Sequence, residues 1–288
     1  MAPARRAGRH HRPHRRRLEE CVRKFKVMIR KILIALGVII LVLLVKFILH
    51  LVLPRNFRGS GEVLPLALPH GTFQTLYYNQ NATPKGVVIV GTGDGGWSYW
   101  EEKVSKHLAE KGYAVGSWDC RKFADTRTYD QAELAAGFRE AVKAVRRRSG
   151  AREDCPVWYS GWSTGAEQSV AAAAVADRPA GLTGLLLAAP GKVGRYGITE
   201  SDLLGMEPSG PDSFELASLA PKLTGLKIAQ FVAGLDPLDD TTWQAGLGNI
   251  PVKNIDLPTS LHDMGGAGEE FLGKLDAAMA WTLASPEK

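Results

Sequence analysis

Short, continuous apolar runs recur along the chain between residues 86 and 257. Runs of this length without polar alternation are typical of strands buried on both faces of a parallel sheet. Segments with apolar residues at helical spacing lie between several of them, and Ser98 is placed to cap the first such helix. The predicted strands are Gly86–Gly91, Tyr113–Asp119, Val157–Ser160, Leu182–Ala189, Leu226–Val232 and Val252–Leu257, and the predicted helices are Ser98–Lys111, Asp130–Arg148, Ala166–Ala176 and Gly268–Ala284. This alternation predicts an α/β fold with a mostly parallel central sheet and helices on both faces.

Two shorter runs, Val63–His70 and Thr72–Asn79, precede this pattern and flank Gly71. Their composition predicts an opening β-hairpin. Pro65 and Pro69 lack a backbone donor, so we expect the first strand of the hairpin to lie at the edge of the sheet.

Residues Ile32–Leu53 form a run of 22 almost wholly apolar residues. As a helix this run would span about 33 Å, enough to cross a bilayer. Lys46 is its one charged residue and could extend toward the headgroups. A cleaved signal peptide is the alternative interpretation, but no small-residue cleavage site follows before Pro54, which favours an uncleaved membrane anchor.

Charge is distributed unevenly about this run. Residues 1–31 contain twelve Lys/Arg and two Asp/Glu, whereas the remainder carries 24 basic and 28 acidic residues. The net charge of +6 therefore describes a basic tail joined to a mildly acidic domain, which argues against nucleic-acid binding. The positive-inside rule predicts a cytoplasmic tail at 1–31, an anchor at 32–53, a linker at 54–62 and an external domain at 63–288. Within the tail, residues 5–17 are predicted to be disordered, with binding to anionic lipid as a weaker alternative to a purely topological role.

The most informative motif is Gly161-Trp162-Ser163-Thr164-Gly165, which joins an apolar strand to an alanine-rich segment. Such a sharp strand-to-helix turn, called a nucleophile elbow, exposes the hydroxyl of its serine as a nucleophile. Glycine is expected at positions 161 and 165 because a Cβ there would crowd the turn and the neighbouring strand. We predict that Ser163 is a catalytic nucleophile held in a strained backbone conformation.

A base and an acid follow this serine in the order typical of α/β-hydrolases. Of the seven histidines, four fall in the tail or the apolar run, and His70 and His107 fit structural or solvated positions better than His262 does. His262 lies five residues after the last predicted strand and is the predicted base. Asp236 follows the preceding strand and is the predicted acid, with Asp239 as the alternative.

A glycine-rich stretch, Thr92–Trp97, follows the first parallel strand. Its spacing fits neither a Walker loop nor a dinucleotide-binding fingerprint, so no cofactor is predicted. We expect the backbone amides of Gly93 and Asp94 to form an oxyanion hole with the amide of Thr164.

About thirty residues, 191–221, separate two of the predicted strands, which is long for an ordinary connection. A cap over the site that contacts lipid through Leu203, Leu204 and Met206 is one interpretation, and a helix packed on the sheet is the other. Cys120 and Cys155 are expected at opposite ends of the sheet and therefore unbridged. No cysteine and histidine spacing indicates a metal site.

Several of these segments together resemble the bacterial AcvB/VirJ virulence-associated family over residues 84–285. The shared features are Gly93-Asp94-Gly95-Gly96-Trp97, the strand ending in Asp119, the motif at Gly161–Ala166, and Ala188-Ala189-Pro190-Gly191. The resemblance implies an α/β-hydrolase fold in the periplasm and hydrolysis of the aminoacyl ester of lysyl-phosphatidylglycerol. Around the serine the family usually has an aromatic residue and then Asp, as in Tyr-Ser-Phe-Gly-Ala-Asp, whereas this sequence has Trp162-Ser163-Thr164-Gly165-Ala166-Glu167. A carboxylate is kept at Glu167, and the difference concerns the shape of the pocket.

The resemblance indicates an enzyme anchored in the inner membrane, with a membrane lipid as substrate and envelope or secretion-system proteins as further partners. Asp94, Asp119 and Glu167 are the candidates to bind a cationic amino group because each is expected near the same edge of the sheet. A periplasmic binding or scaffolding module and an esterase of other specificity are the alternative functions.

Overall fold

The structure is a computed structural model that describes residues 12–52, 59–69, 72–124, 127, 129–199 and 206–285. The chain divides into two compact units, Met1–Pro54 and Arg55–Lys288.

The described part of the first unit is a helix, α1, over Arg12–Val52. Its segment Arg23–Phe47 is long and apolar enough to cross a membrane. The prediction of a disordered tail is wrong from Arg12 onward, because the basic residues continue the helix N-terminally; residues 5–11 and Leu53 lie outside the described residues. Lysine and arginine are good helix formers, so a charged segment directly joined to an apolar helix can extend it.

The second unit is built on an eight-stranded sheet with the order β1-β2-β4-β3-β5-β6-β9-β10. Strands β3 to β6, β9 and β10 pair in parallel, while β1 and β2 form the predicted hairpin and pair antiparallel. The strands of this sheet are β1 Glu62–Pro65, β2 Phe73–Tyr77, β3 Val87–Gly91, β4 Ala114–Trp118, β5 Val157–Trp162, β6 Leu182–Ala188, β9 Lys227–Ala233 and β10 Val252–Leu257. The proline-containing β1 lies at the edge, as expected.

Helices cover both faces of this sheet, and each face has its own buried core. On one face pack α4 and α5, with Phe138 and Val170 in the core. On the other pack α2 and α8, with Leu108 and Leu275. The helices are α2 Tyr99–Glu110, α3 Cys120–Ala124, α4 Gln131–Ser149, α5 Thr164–Ala173, α6 Leu216–Leu219, α7 Met264–Ala267 and α8 Glu269–Leu283, with 3-10 turns at Ala220–Lys222 and Thr242–Leu247.

The described part of the predicted linker, residues 59–62, is joined to the folded domain. The backbone N–H and the hydroxyl of Ser60 both donate to Oε1 of Glu102, at 3.1 and 2.7 Å. Glu102 lies in the first turn of α2 and is buried. Ser60 is therefore part of the domain rather than of a free linker.

The described part of the insertion, residues 191–199 and 206–221, contains a small two-stranded ribbon. Its strands are β7 Val193–Arg195 and β8 Ser213–Glu215, which pair antiparallel, and α6 follows directly. Leu203 and Leu204 lie outside the described residues, whereas Met206 is exposed.

The two cysteines of the domain are free, as predicted, and both are buried. Cys120 opens α3 after the carboxyl end of β4, and Cys155 precedes the amino end of β5.

Candidate active site

The predicted nucleophile, Ser163, joins the end of β5 to the start of α5. Its backbone has φ 52° and ψ −124°, a conformation that L-residues rarely adopt and that the surrounding structure must enforce. The N–H of Ser163 donates to the carbonyl of Ala188 on β6 at 2.9 Å. A Cβ at Gly161 would overlap the backbone of Gly165, and one at Gly165 would overlap that of Gly91. Tight packing of three glycines therefore sets the turn that presents Ser163.

His262 and Asp236 come from the loops after β10 and β9 and meet in a short hydrogen bond. Nδ1 of His262 lies 2.6 Å from Oδ2 of Asp236. The Asp236 side chain is only 2% exposed, and its other oxygen accepts the N–H of Leu238 at 3.0 Å. This arrangement orients the imidazole and leaves Nε2 as the nitrogen that can exchange a proton with a substrate or nucleophile.

The alternative acid, Asp239, has different partners. Its oxygens accept the N–H of Ala233 at 2.6 Å and the side-chain amide of Gln230 at 3.0 Å. Burial raises the pKa of Asp239 to about 6, and the nearby charge of Asp236 adds to the increase. Asp239 thus ties the loop after β9 to its own strand, whereas Asp236 contacts the histidine.

Trp162 is a feature of the site that the sequence interpretation did not assign. Its Nε1 donates to the backbone carbonyl of His262 at 2.6 Å, and the two rings lie 5.4 Å apart in a tilted arrangement. Trp100 also stacks on Trp162, with ring centroids 5.7 Å apart. Trp162 immediately precedes the nucleophile, so one residue links the elbow to the loop that carries the base. An indole in the variable position before the serine was the signal available in the sequence.

A cavity of about 420 Å³ opens beside these residues. Ser163 and His262 both line it, as do Asp94 and Thr164, two of the three residues predicted to form the oxyanion hole. Most of the remaining lining comes from the loop after β9 and from the insertion, with Glu167 of α5 and Ala189 after β6 in addition. The residues of the loop and the insertion are Gly191, Lys192, Val193, Met206, Glu207, Pro208, Pro237, Leu238 and Asp240. The nucleophile, the base and two backbone segments near the elbow therefore share one cavity, as an acyl-transfer site requires.

Gly93, the third predicted member of the oxyanion hole, is not among the residues that line this cavity. Its carbonyl accepts the hydroxyl of Thr92 at 2.9 Å and the N–H of Gly96 at 3.1 Å. Directly after this glycine-rich loop, the N–H of Ser98 donates to the carboxylate of Glu101 at 2.9 Å. Glu101 is fully buried, and burial raises the pKa of its carboxyl. Gly93 thus belongs to the folded support of this loop, and Asp94 is the part that reaches the cavity.

Asp119 is likewise not placed in the cavity. Its Oδ1 accepts the N–H of Lys122 at 3.0 Å, and its Oδ2 accepts the N–H of Trp97 at 3.3 Å. The Lys122 ammonium lies 3.4 Å from the same carboxylate. Asp119 therefore stabilises the first turn of α3 and the glycine-rich loop, rather than lying open to a ligand.

Glu167 does line the cavity, although most of its side chain is buried. Its Oε1 accepts the N–H of Gly191 at 3.0 Å, so it also attaches the start of the insertion to α5. Two further acids that the sequence interpretation did not single out, Glu207 and Asp240, line the same cavity. The Lys192 ammonium lies 3.1 Å from Glu207. The charged side chains of the lining are therefore mostly acidic, namely Asp94, Glu167, Glu207 and Asp240 against Lys192.

The other histidines do not compete for the role of base among the described residues. Nε2 of His107 lies 2.8 Å from Asp276, where Lys111 also binds the carboxylate at 2.8 Å. His70 lies outside the described residues.

Comparison with known proteins identifies the fold. No protein-family model matches the chain, and no curated protein matches it in sequence. Among solved structures, it is similar to a thermostable carboxyl esterase from Bacillus coagulans, with a TM-score of 0.59 and 14% identity over 77% of this chain and 99% of the esterase. An α-β serine hydrolase homologue from Coxiella burnetii gives 0.52 and 16% over 80% and 100%, and an esterase domain from Rhodothermus marinus gives 0.52 and 13% over 76% and 96%. The chain therefore has the predicted α/β-hydrolase fold, which these esterases and the serine hydrolase homologue share.

Proposed function

We propose that this protein is a serine hydrolase that cleaves a carboxylic ester. The observation that carries the proposal is the 2.6 Å hydrogen bond between His262 and the buried Asp236, beside a cavity that Ser163 also lines. A serine on a strained turn, a histidine and a carboxylate hydrogen-bonded to that histidine are the three functions that acyl transfer through an enzyme nucleophile needs.

In the proposed reaction, Oγ of Ser163 attacks the ester carbonyl carbon while His262 takes the hydroxyl proton. Asp236 stabilises the resulting imidazolium. The backbone amides at Asp94 and Thr164 stabilise the negative charge on the carbonyl oxygen. The tetrahedral intermediate then expels the alcohol, which receives the proton from His262. Water, activated by the same histidine, hydrolyses the acyl-enzyme and restores Ser163.

The finer proposal is that the ester is the aminoacyl ester of an aminoacylated phosphatidylglycerol such as lysyl-phosphatidylglycerol. The four carboxylates in the cavity lining against the single lysine, Lys192, favour a cationic acyl group. The resemblance to the AcvB/VirJ family supports the same substrate, and the apolar helix Arg23–Phe47 supports a membrane location. We propose an inner-membrane enzyme with its domain in the periplasm, and association with envelope or secretion-system proteins remains a prediction.

The test is lipid analysis of cells that contain an aminoacyl-phosphatidylglycerol synthase and express either the wild-type protein or Ser163→Ala. We expect the wild type to deplete the aminoacylated lipid, measured by mass spectrometry, and Ser163→Ala to leave it intact. Ser218→Ala is the matched control, because Ser218 is an exposed serine whose hydroxyl donates to the nearby carbonyl of Glu215. This control should behave as wild type.

Three results would be informative in other ways. Depletion of the aminoacylated lipid by Ser163→Ala would contradict the assignment of Ser163 as the nucleophile. No depletion by membrane-inserted wild type would contradict the lipid substrate, and hydrolysis of simple esters would then identify an esterase of other specificity. Absence of any ester hydrolysis would favour the binding or scaffolding alternative.

The acidic lining has its own test. Glu207→Gln and Asp94→Asn should each raise KM for a cationic aminoacyl ester and leave KM for a neutral ester of the same size nearly unchanged. Equal effects on both esters would contradict recognition of a positive charge.

A further inference from the structure

Large apolar side chains that are more than half exposed are few in the described part of the domain, and they are unevenly placed. Two of them, Val63 and Tyr99, lie on β1 and at the start of α2. The other four belong to segments that border the active site, and we call them the apolar rim. They are Met206, Leu235, Leu238 and Leu261, each 53 to 61% exposed.

These four residues come from three segments that meet at the mouth of the cavity. The N–H of Leu235 donates to the carbonyl of Ser260 at 3.0 Å, which joins the loop after β9 to the loop that contains Leu261. Leu238 and Met206 both line the cavity, from the loop after β9 and from the insertion. Leu235, Leu238 and Leu261 therefore lie on the side of the site that carries Asp236 and His262, and Met206 adds to the rim from the insertion.

A single exposed leucine needs no explanation, but several around one opening indicate an interaction surface. The described core does not need these side chains, because Leu257 and Met264, on either side of Leu261 in the chain, are buried while Leu261 points outward. Burial is therefore available in this segment, and the outward position of Leu261 is a feature of the loop rather than a lack of core space.

We propose that the apolar rim enters the surface of a lipid bilayer, so that the mouth of the cavity opens onto the membrane interface. The partner is lipid because the same chain carries a helix that is long and apolar enough to cross a membrane, and only residues 53–58 separate that helix from the described start of the domain. Leucine and methionine side chains gain free energy when they leave water for the acyl-chain boundary. The choice of a membrane ester as the bound substrate rests on the proposed function.

Insertion of the rim can be measured without catalysis. Full-length protein with Cys21→Ser is reconstituted in vesicles of phosphatidylethanolamine and phosphatidylglycerol, and a cysteine for a nitrobenzoxadiazole label is placed by Leu235→Cys or by Leu261→Cys. The native Cys120 and Cys155 are buried, and protein without an added cysteine gives the background. Lipids with a spin label on the acyl chain then quench any probe that lies in the membrane.

The matched controls are Val63→Cys, at 60% exposure against 61% for Leu261, and Val252→Cys, at the opposite end of β10 from Leu261. We expect strong quenching and a blue shift at positions 235 and 261 and neither at 63 and 252, in the wild-type background and with Ser163→Ala. No quenching at 235 and 261, or equal quenching at all four positions, would overturn the proposal. Loss of the blue shift at 235 and 261 on dilution of the protein in the vesicles would assign the rim to contact with a second copy instead.

A second measurement separates this proposal from the proposed function. The variant Leu235→Ser/Leu261→Ser changes two rim residues that do not line the cavity. It should hydrolyse a soluble p-nitrophenyl ester as wild type does but lose about tenfold activity on an ester held in vesicles. Equal activity of variant and wild type on the vesicle ester would contradict a role for the rim. Wild type that hydrolyses neither ester, yet is quenched at 235 and 261, would contradict the proposed function and leave membrane entry standing.

Discussion

The two walls of the cavity are built in different ways. The catalytic wall is built around Ser163, Asp236 and His262, which lie in the segments that follow β5, β9 and β10 of the large sheet. The N–H groups of Ser163 and Gly234 donate to carbonyls of neighbouring strands at 2.9 and 3.0 Å. The insertion wall, residues 191–193 and 206–208, depends instead on a ribbon of two three-residue strands and on the half-exposed ion pair of Lys192 with Glu207.

This difference predicts different kinetic roles for the two walls. Side chains held by the rigid end of a sheet can keep the sub-ångström geometry that proton transfer needs. A ribbon held by few backbone bonds and a solvent-screened ion pair contributes little stability and can change in shape. Changes to the catalytic wall should therefore lower kcat, and changes to the insertion wall should act mainly on KM.

The largest effect is expected from replacing the carboxylate that contacts His262. Asp236→Asn should lower kcat by about ten-thousandfold, because the amide cannot hold the imidazole in the productive tautomer or stabilise its charged form. Asp239→Asn should cost far less, since Asp239 contacts Ala233 and Gln230 rather than His262. Steady-state kinetics on a soluble ester measures both, and equal losses would contradict the assignment of Asp236.

The next effect concerns the support of the elbow. Gly165→Ala should lower the free energy of unfolding by about 3 kcal/mol, because the new Cβ would overlap the backbone of Gly91. Gly150→Ala is not a fair control, because its φ is 72°. Gly273→Ala is the matched control: Gly273 lies within α8, and a Cβ there meets nothing within 4 Å. Denaturant unfolding should show a loss for the first variant and none for the second.

A smaller effect should follow from the link between Trp162 and His262. Trp162→Phe keeps most of the ring but removes the donor to the carbonyl of His262, at a cost of about 1 kcal/mol, or roughly fivefold in kcat. An unchanged kcat would show that ring packing alone positions the histidine loop.

The smallest effect is on the pH dependence of stability. Asp239 has a pKa of about 6 in the folded protein against 3.8 for the free side chain, so the folded state holds a proton that the unfolded state has released between these values. The contribution of Asp239 to the free energy of unfolding should therefore decrease as pH rises from about 4 to about 6. The difference between wild type and Asp239→Asn, followed by thermal unfolding across this range, isolates that contribution. A difference that grows with pH would contradict the sign.

Much of the sheet was predictable because its strands are continuous apolar runs, and each predicted run from Gly86 to Leu257 contains an observed strand. The elbow was recognisable for a related reason, since a tight turn against a neighbouring strand excludes side chains at Gly161 and Gly165. Both are local constraints that a single stretch of sequence can record.

Other parts depend on contacts between distant segments. Three carboxylates within five residues follow β9, and only the fold distinguishes Asp236, beside His262, from Asp239, beside Gln230. Asp119 was placed at the correct end of the sheet, but its hydrogen bonds to Trp97 and Lys122 turn it into a support. Glu207 was not foreseen because its place in the cavity depends on how the insertion returns to the site.

The most direct test of the central claim is reaction of the full-length protein with a fluorophosphonate, which reacts rapidly with an activated serine. Intact-mass and peptide mass spectrometry should show one adduct, on Ser163, that is abolished in Ser163→Ala and strongly slowed in Asp236→Asn, while Ser218→Ala reacts as wild type. Absence of an adduct on the folded wild-type protein, or an adduct on another serine, would contradict the account of this cavity as a serine hydrolase site.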